Sequence, residues 1–138
     1  MNASSPLPHP GFGAFGKSHR EFFDALSGEG WSPVDGYDGV EEKFLSGRLD
    51  PATRTGAVTR LARWRAGAAV DHAVSHDWCE EVFIVSGSLA IGTLAAKADA
   101  VRLPAGTCAV RPPHVIHGPF FSDEGCLLIE FMYYPPAP

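Results

Sequence analysis

Four of the six histidines, His72, His76, His114 and His117, fall within one third of the chain, beside the adjacent carboxylates Glu80 and Glu81. Imidazole and carboxylate are the donors that suit first-row metals such as iron, manganese, nickel and zinc, so their spacing matters. His72, His76 and Glu80 follow one another at intervals of four, which on a helix places all three on one face. The residues after Glu80 speak for strands instead. Val82-Phe83-Ile84-Val85, Ser86-Gly87-Ser88 and Leu89-Ala90-Ile91 read as two strands joined by a tight turn, and the H-x-x-x-H spacing lacks the glutamate of the helical H-E-x-x-H zinc pattern. Four residues of straight strand span ~13 Å, too far for two donors on one ion, so the chain must turn between His76 and Glu80. Asp77 is a suitable turn residue. Turned there, His76 near the end of one strand and Glu80 near the start of the next face one cavity.

The elements that must hold these side chains are short. Fifteen Gly and twelve Pro leave little room for long helices, and the apolar residues cluster between these breaks. Strands are predicted at 40–45, 57–65, 81–85, 89–93, 100–103, 107–110 and 126–134, with turns at Ser86-Gly87-Ser88 and Pro104-Ala105-Gly106. Their spacing suits a β-sandwich or small barrel. Residues 1–17, with Pro6, Pro8 and Pro10 before Gly11, Gly13 and Gly16, read as an irregular arm that docks through Phe12 and Phe15 on the body or on a neighbouring subunit. A short helix is predicted at 18–26, where Ser18 and Glu21 form an S-x-x-E capping box ahead of Phe22, Phe23 and Leu26. Gly28 and Gly30 end it.

With 138 residues, 45% of them hydrophobic and 20% charged, the chain has the profile of one globular domain over 18–138. Eleven basic against sixteen acidic residues, a net charge of −5, provide no basic stripe for a phosphate backbone, which argues against a nucleic-acid partner. No run of apolar residues is long enough to span a membrane, and the N-terminus lacks a basic start and an apolar core of the secretory kind. A cytoplasmic protein with no membrane partner is expected. Cys79, Cys108 and Cys126, an odd number with no C-x-x-C pair, fit a reducing compartment and read as small buried hydrophobes.

Gly67-x8-His76-x3-Glu80-x6-Gly87 resembles the first motif of the cupins, with the second histidine, the glutamate and the closing glycine in register. Val74 stands where that motif has its first histidine, and His72 lies two residues earlier. Gly106-x5-Pro112-x-His114-x2-His117 resembles the second cupin motif, with His114 where glycine is usual. The stretch from Leu103 to Phe131 is also similar to ChrR-type and related small single-domain cupins, which share P-A-G-T, a P-P turn, H-x-P-F and E-G-C in this order. The resemblance covers 67–117 by motif and about 40–134 by the flanking strands. It implies an all-β cupin-type jelly-roll barrel, a homodimer, and a divalent metal held by His76, Glu80 and His117. His72 is the candidate fourth ligand, if a local bulge swings it inward.

Two neutral imidazoles and one carboxylate on one side of an ion leave positions open for substrate or oxygen, the arrangement of non-haem iron(II) chemistry, so Fe(II) is favoured over Zn, Mn or Ni. The alternative for the three residues is a polar network inside a barrel without metal. Glu81 has the opposite strand parity to Glu80 and reads as solvated. His114 reads as a loop residue before a proton donor to bound substrate, Arg102 and Arg111 as solvated charges before anchors for an anionic substrate, and Trp64, Trp78, Phe83, Phe120, Phe121 and Tyr133 mostly as packing before an aromatic pocket around the metal. The expectation is a metal-dependent enzyme acting on a small oxygenated organic molecule, a carbonyl or phenolic compound, by dioxygenase-type oxidation. Fold alone does not select a reaction. An isomerase or cyclase using the metal as Lewis acid, or a non-enzymatic metal or ligand sensor, are the alternatives.

Overall fold

The computed structural model describes residue 9 and residues 11–138. Nine strands form it: β1 (Ser32–Pro33), β2 (Val40–Asp50), β3 (Thr55–Trp64), β4 (Ala69–Val70), β5 (Cys79–Ile91), β6 (Val101–Pro104), β7 (Cys108–Arg111), β8 (Phe120–Phe121) and β9 (Cys126–Tyr133). Every pairing is antiparallel, in the order β1-β2-β3-β9-β5-β8-β4, with β6 and β7 both laid against β5. The all-β expectation is met by a sheet that curls into a half-barrel.

Alternation along the strands puts one face inside. On β9, Cys126, Leu128, Glu130 and Met132 are buried, and between them Phe131 is exposed. The core joins Ala62 and Trp64 of β3, Ile84 and Leu89 of β5, and Cys126 and Leu128 of β9 to Val40, Ala68 and Val70. Side chains that alternate in this way have a period of two, which only a strand supplies.

Two sequence expectations are corrected. Ser86-Gly87-Ser88 is not a hairpin turn but the middle of β5, whose 79–84 half pairs with β7 and β9 and whose 88–91 half pairs with β6 and β8. The pairing with β9 shifts register between Ile84 and Ser86, and Gly87 has φ +72°. The strand bends over a corner there instead of reversing, as a glycine bulge allows. A side chain at Gly87 would collide with the Gly125 carbonyl oxygen.

The helix predicted at 18–26 does not form. Only two short 3-10 turns occur among the described residues, Gly13–Phe15 and Leu94–Asp99. Phe22 is fully exposed and Leu26 is more than half exposed, so the proposed apolar stripe has nothing to pack on. A nine-residue helix without such a partner is marginal in water. Asp24 Oδ1 instead accepts the Leu26 N–H at 3.0 Å, a local turn that competes with the helix. The chain then runs across the outer face of β2 and β3, where Lys43 donates to the Ser27 carbonyl and hydroxyl and the Arg63 guanidinium lies 4.0 Å from the Trp31 ring centre.

Of the N-terminal arm, residues 1–8 and 10 lie outside the described residues. Its remainder rests on the body, because Lys17 Nζ donates to Ser46 Oγ at 2.7 Å and to Thr59 Oγ1 at 3.3 Å. No helix among the described residues is long and apolar enough to cross a membrane.

Candidate metal centre

Two loops and one strand carry the candidate ligands. His76 lies in the loop between β4 and β5, Glu80 near the start of β5, and His117 in the loop between β7 and β8. The loops are tied by a two-residue bridge, in which Val74 N–H donates to the His117 carbonyl at 2.8 Å and His117 N–H to the Val74 carbonyl at 2.9 Å. His114 N–H adds a 2.6 Å bond to the His76 carbonyl. His114 sits at φ +71°, which explains why glycine is usual at this place and leaves the His114 side chain exposed in the loop, as read from sequence.

These ties bring one donor atom from each of His76, Glu80 and His117 within 4.8 Å of one another. His76 Nε2 lies 3.7 Å from Glu80 Oε2, and His117 Nε2 lies 3.6 Å from Glu80 Oε1. Those gaps are too long for hydrogen bonds, yet close to the ~3.3 Å that separates two donors on one tetrahedral ion with bonds of ~2.0 Å. His117 Nδ1 lies 2.9 Å from the Val115 carbonyl, which can only accept. Nδ1 therefore carries a proton, and Nε2 is the ring nitrogen that faces Glu80. His76 stacks on Trp78, the rings 3° from parallel and 4.5 Å apart. Burial, then the neighbouring His117, holds the His76 imidazole below its ordinary pKa, favouring the neutral form that ligation requires. The residues therefore fit a divalent metal.

His72 is not part of the cluster. Its ring is more than half exposed and sits against Asp71 at 3.2 Å and edge-on to Tyr37. Val74, in the place of the missing histidine, offers no donor. Glu81 points to the other face of β5 from Glu80, as its parity requires.

Arg111, read as a solvated charge, is instead mostly buried, and its Nη1 donates to Glu80 Oε1 at 3.0 Å across the β5–β7 pair. A hydrogen-bonded carboxylate is held in orientation for a metal. Arg102 does stand at the surface, paired with Asp123 at 2.8 Å.

The triad opens on a cavity of about 120 Å³ inside the sheet, whose far wall is charged. Arg60 bridges Glu42 and Glu130, both at 2.9 Å, and Glu130 is buried outright. Burial pushes the Glu130 carboxyl above the ordinary carboxylate range, against the pull of Arg60. Tyr37, Trp64 and Phe120 line the same space. The sequence reading missed Arg60, Glu42 and Glu130, although each occupies an inward position of its strand and Glu130 interrupts an apolar run at that parity.

No family model and no curated protein sequence matches the chain. Solved structures do. An RmlC-like cupin from Shewanella frigidimarina NCIMB 400 is similar with a TM-score of 0.60 and 20% identity, covering 86% of this chain and 94% of that one. This is a cupin fold. An acetylacetone dioxygenase from Acinetobacter johnsonii is similar with a TM-score of 0.60 and 17% identity, covering 85% of this chain and 76% of that one. The polyketide cyclase RemF from Streptomyces resistomycificus is similar with a TM-score of 0.52 and 16% identity, covering 75% and 70%. Proteins of such different activities share the architecture, so the site must carry the functional argument.

Proposed function

We propose that this cupin is a cytoplasmic, metal-dependent enzyme that takes a small oxygenated organic molecule, a carbonyl or phenolic compound, through dioxygenase-type oxidation with Fe(II) at His76, Glu80 and His117. One observation carries the reading: three neutral or anionic donors from separate segments converge within 4.8 Å at the wall of an internal cavity. When bound, the ion supplies Lewis acidity and, as iron, redox chemistry toward dioxygen.

The chain's own residues do the rest. Val115 fixes the tautomer of His117, Arg111 holds Glu80, and Trp78 supports the His76 ring. Val82, Leu89, Phe120 and Leu128 supply apolar wall beside the donors. The fold's likeness to an acetylacetone dioxygenase supports an oxidative reaction. Its likeness to a polyketide cyclase supports the second reading, an isomerase or cyclase that uses the ion only as a Lewis acid. Three free thiols suit the reducing cytoplasm. The proposed assembly is a homodimer, supported by the exposed Phe83, Val110 and Phe131 on the outer face of β5, β7 and β9.

The test is elemental analysis of the purified protein, followed by oxygen uptake with β-diketones and hydroxylated aryl ketones. Bound iron and uptake that disappears in His76→Ala, Glu80→Ala and His117→Ala support the oxidative reading. Metal with turnover but no uptake selects the isomerase or cyclase. Protein that retains no divalent metal after expression in supplemented medium ends both.

A further inference from the structure

Beyond the triad, the interior of the sheet opens into a second space of about 430 Å³, between β5, β6, β7 and the loop that carries His117. It shares Val82, Leu89, Arg111, His117 and Phe120 with the metal cavity, so the two are lobes of one interior. Its wall is apolar, built from Ile84, Ile91, Leu103, Ala109, Val115 and Ile116 among others. Arg111 is the one permanently charged side chain on it. Among the described residues that guanidinium makes a single hydrogen bond, from Nη1 to Glu80, although it has five N–H donors. None of its nitrogens is both sealed from solvent and unpartnered, so the remaining donors keep accessible surface on a side chain that lines both spaces.

A partly buried cation with spare forked donors, at the junction between an apolar lobe and a cluster of ligand atoms, matches a molecule with an anionic oxygen head and a hydrophobic body. We infer that Arg111 selects the substrate: the enzyme takes a small organic anion, a carboxylate, enolate or phenolate, whose charged oxygen is held by the free side of the Arg111 guanidinium beside the triad and whose apolar body fills the lobe lined by Leu103, Ala109 and Ile116. The inference rests on the metal-centre reading for its reaction, but the recognition itself does not need the ion.

Calorimetric titration with 2-naphthoate and its neutral isostere 2-naphthamide tests it, on protein both loaded with Fe(II) under anaerobic conditions and stripped by chelator. The acid is expected to bind at least about tenfold more tightly than the amide in both forms, since a charge-assisted pair is lost with the amide. Arg111→Gln should erase that preference, and Arg111→Lys should restore part of it. Ala109→Leu, which fills the lobe without touching charge, should weaken both probes and guards against misfolding of the arginine variants. Equal affinity for acid and amide, failure of the acid to bind, or a preference that survives Arg111→Gln would overturn the inference. A protein that holds no metal yet shows the Arg111-dependent preference defeats the metal reading and upholds this one, whereas metal without the preference does the reverse.

Discussion

Glu80 faces three partners at once, with Oε1 on Arg111 and near His117 and Oε2 near His76. Glu80→Ala would leave the Arg111 guanidinium mostly buried without its counterion, and breaking such a pair costs about 3 kcal/mol. Urea unfolding should show that loss, and elemental analysis the loss of metal. An alanine variant as stable as the parent would mean that the pair is already well solvated. Val74→His restores a donor two residues before His76 and is expected to slow the release of metal to a chelator. The thiols separate by environment. Cys108 is exposed, whereas Cys79 is buried and burial pushes the Cys126 thiol up to about 11. A thiol above its ordinary pKa stays protonated at pH 8, so native protein should react at one cysteine with a disulfide reagent and at three after denaturation. His76, Glu80 and His117 were legible because their spacing survives in the chain. Arg111 was misread because its sign and loop-like neighbourhood say nothing of the carboxylate opposite it on β5.

Strand β5 spans both halves of the sheet because Gly87 lets it bend, and the turn chemistry of Ser86-Gly87-Ser88 disguised that continuity. A hairpin and a bulge use the same residues; which one forms depends on whether β9 is there to pair with both sides, which lies 40 residues away. Gly87→Ala combines a positive φ with the Gly125 collision and should cost at least about 1–3 kcal/mol, read as a lowered urea midpoint. The absent helix at 18–26 has the same origin, since its S-x-x-E pattern is present in the sequence but its packing partner is not. Glu130 on β9 adds a pH dependence. Its carboxyl is raised above the unfolded value, so its stabilising contribution is complete below the ordinary carboxylate range and is lost as pH rises through the folded value. The stability advantage of the parent over Glu130→Gln should therefore shrink from pH 4 to pH 8, and an advantage that grows would contradict the raised value.

For the molecule as a whole, an ion that binds only the folded chain links stability to metal activity. At a free concentration a hundredfold above Kd the gain is about 2.7 kcal/mol, so Zn(II) or Fe(II) should raise the Tm and a chelator should lower it again. The exposed Phe83, Val110 and Phe131 give the proposed dimer its own check. Light scattering should report a dimer for the parent and a monomer for Phe131→Glu, with metal content unchanged. The general architecture was legible from the spacing of Gly, Pro and apolar runs, because those set where strands can lie. The charged wall of Arg60, Glu42 and Glu130 was not, because it depends on β3 pairing with both β2 and β9, which sets Arg60 directly opposite Glu130 although the two are far apart along the chain.

The exposed 3-10 turn at Leu94–Asp99 divides the donors unequally: the first part of the chain holds His76 and Glu80, the last holds His117. A backbone nicked in that turn becomes two polypeptides, each with an incomplete grip on the ion. With the proposed ion bound, reassembly of the pieces would gain a clasp besides the pairing of β5 with β9, turning the protein into a two-part sensor whose signal is the joining of its own halves.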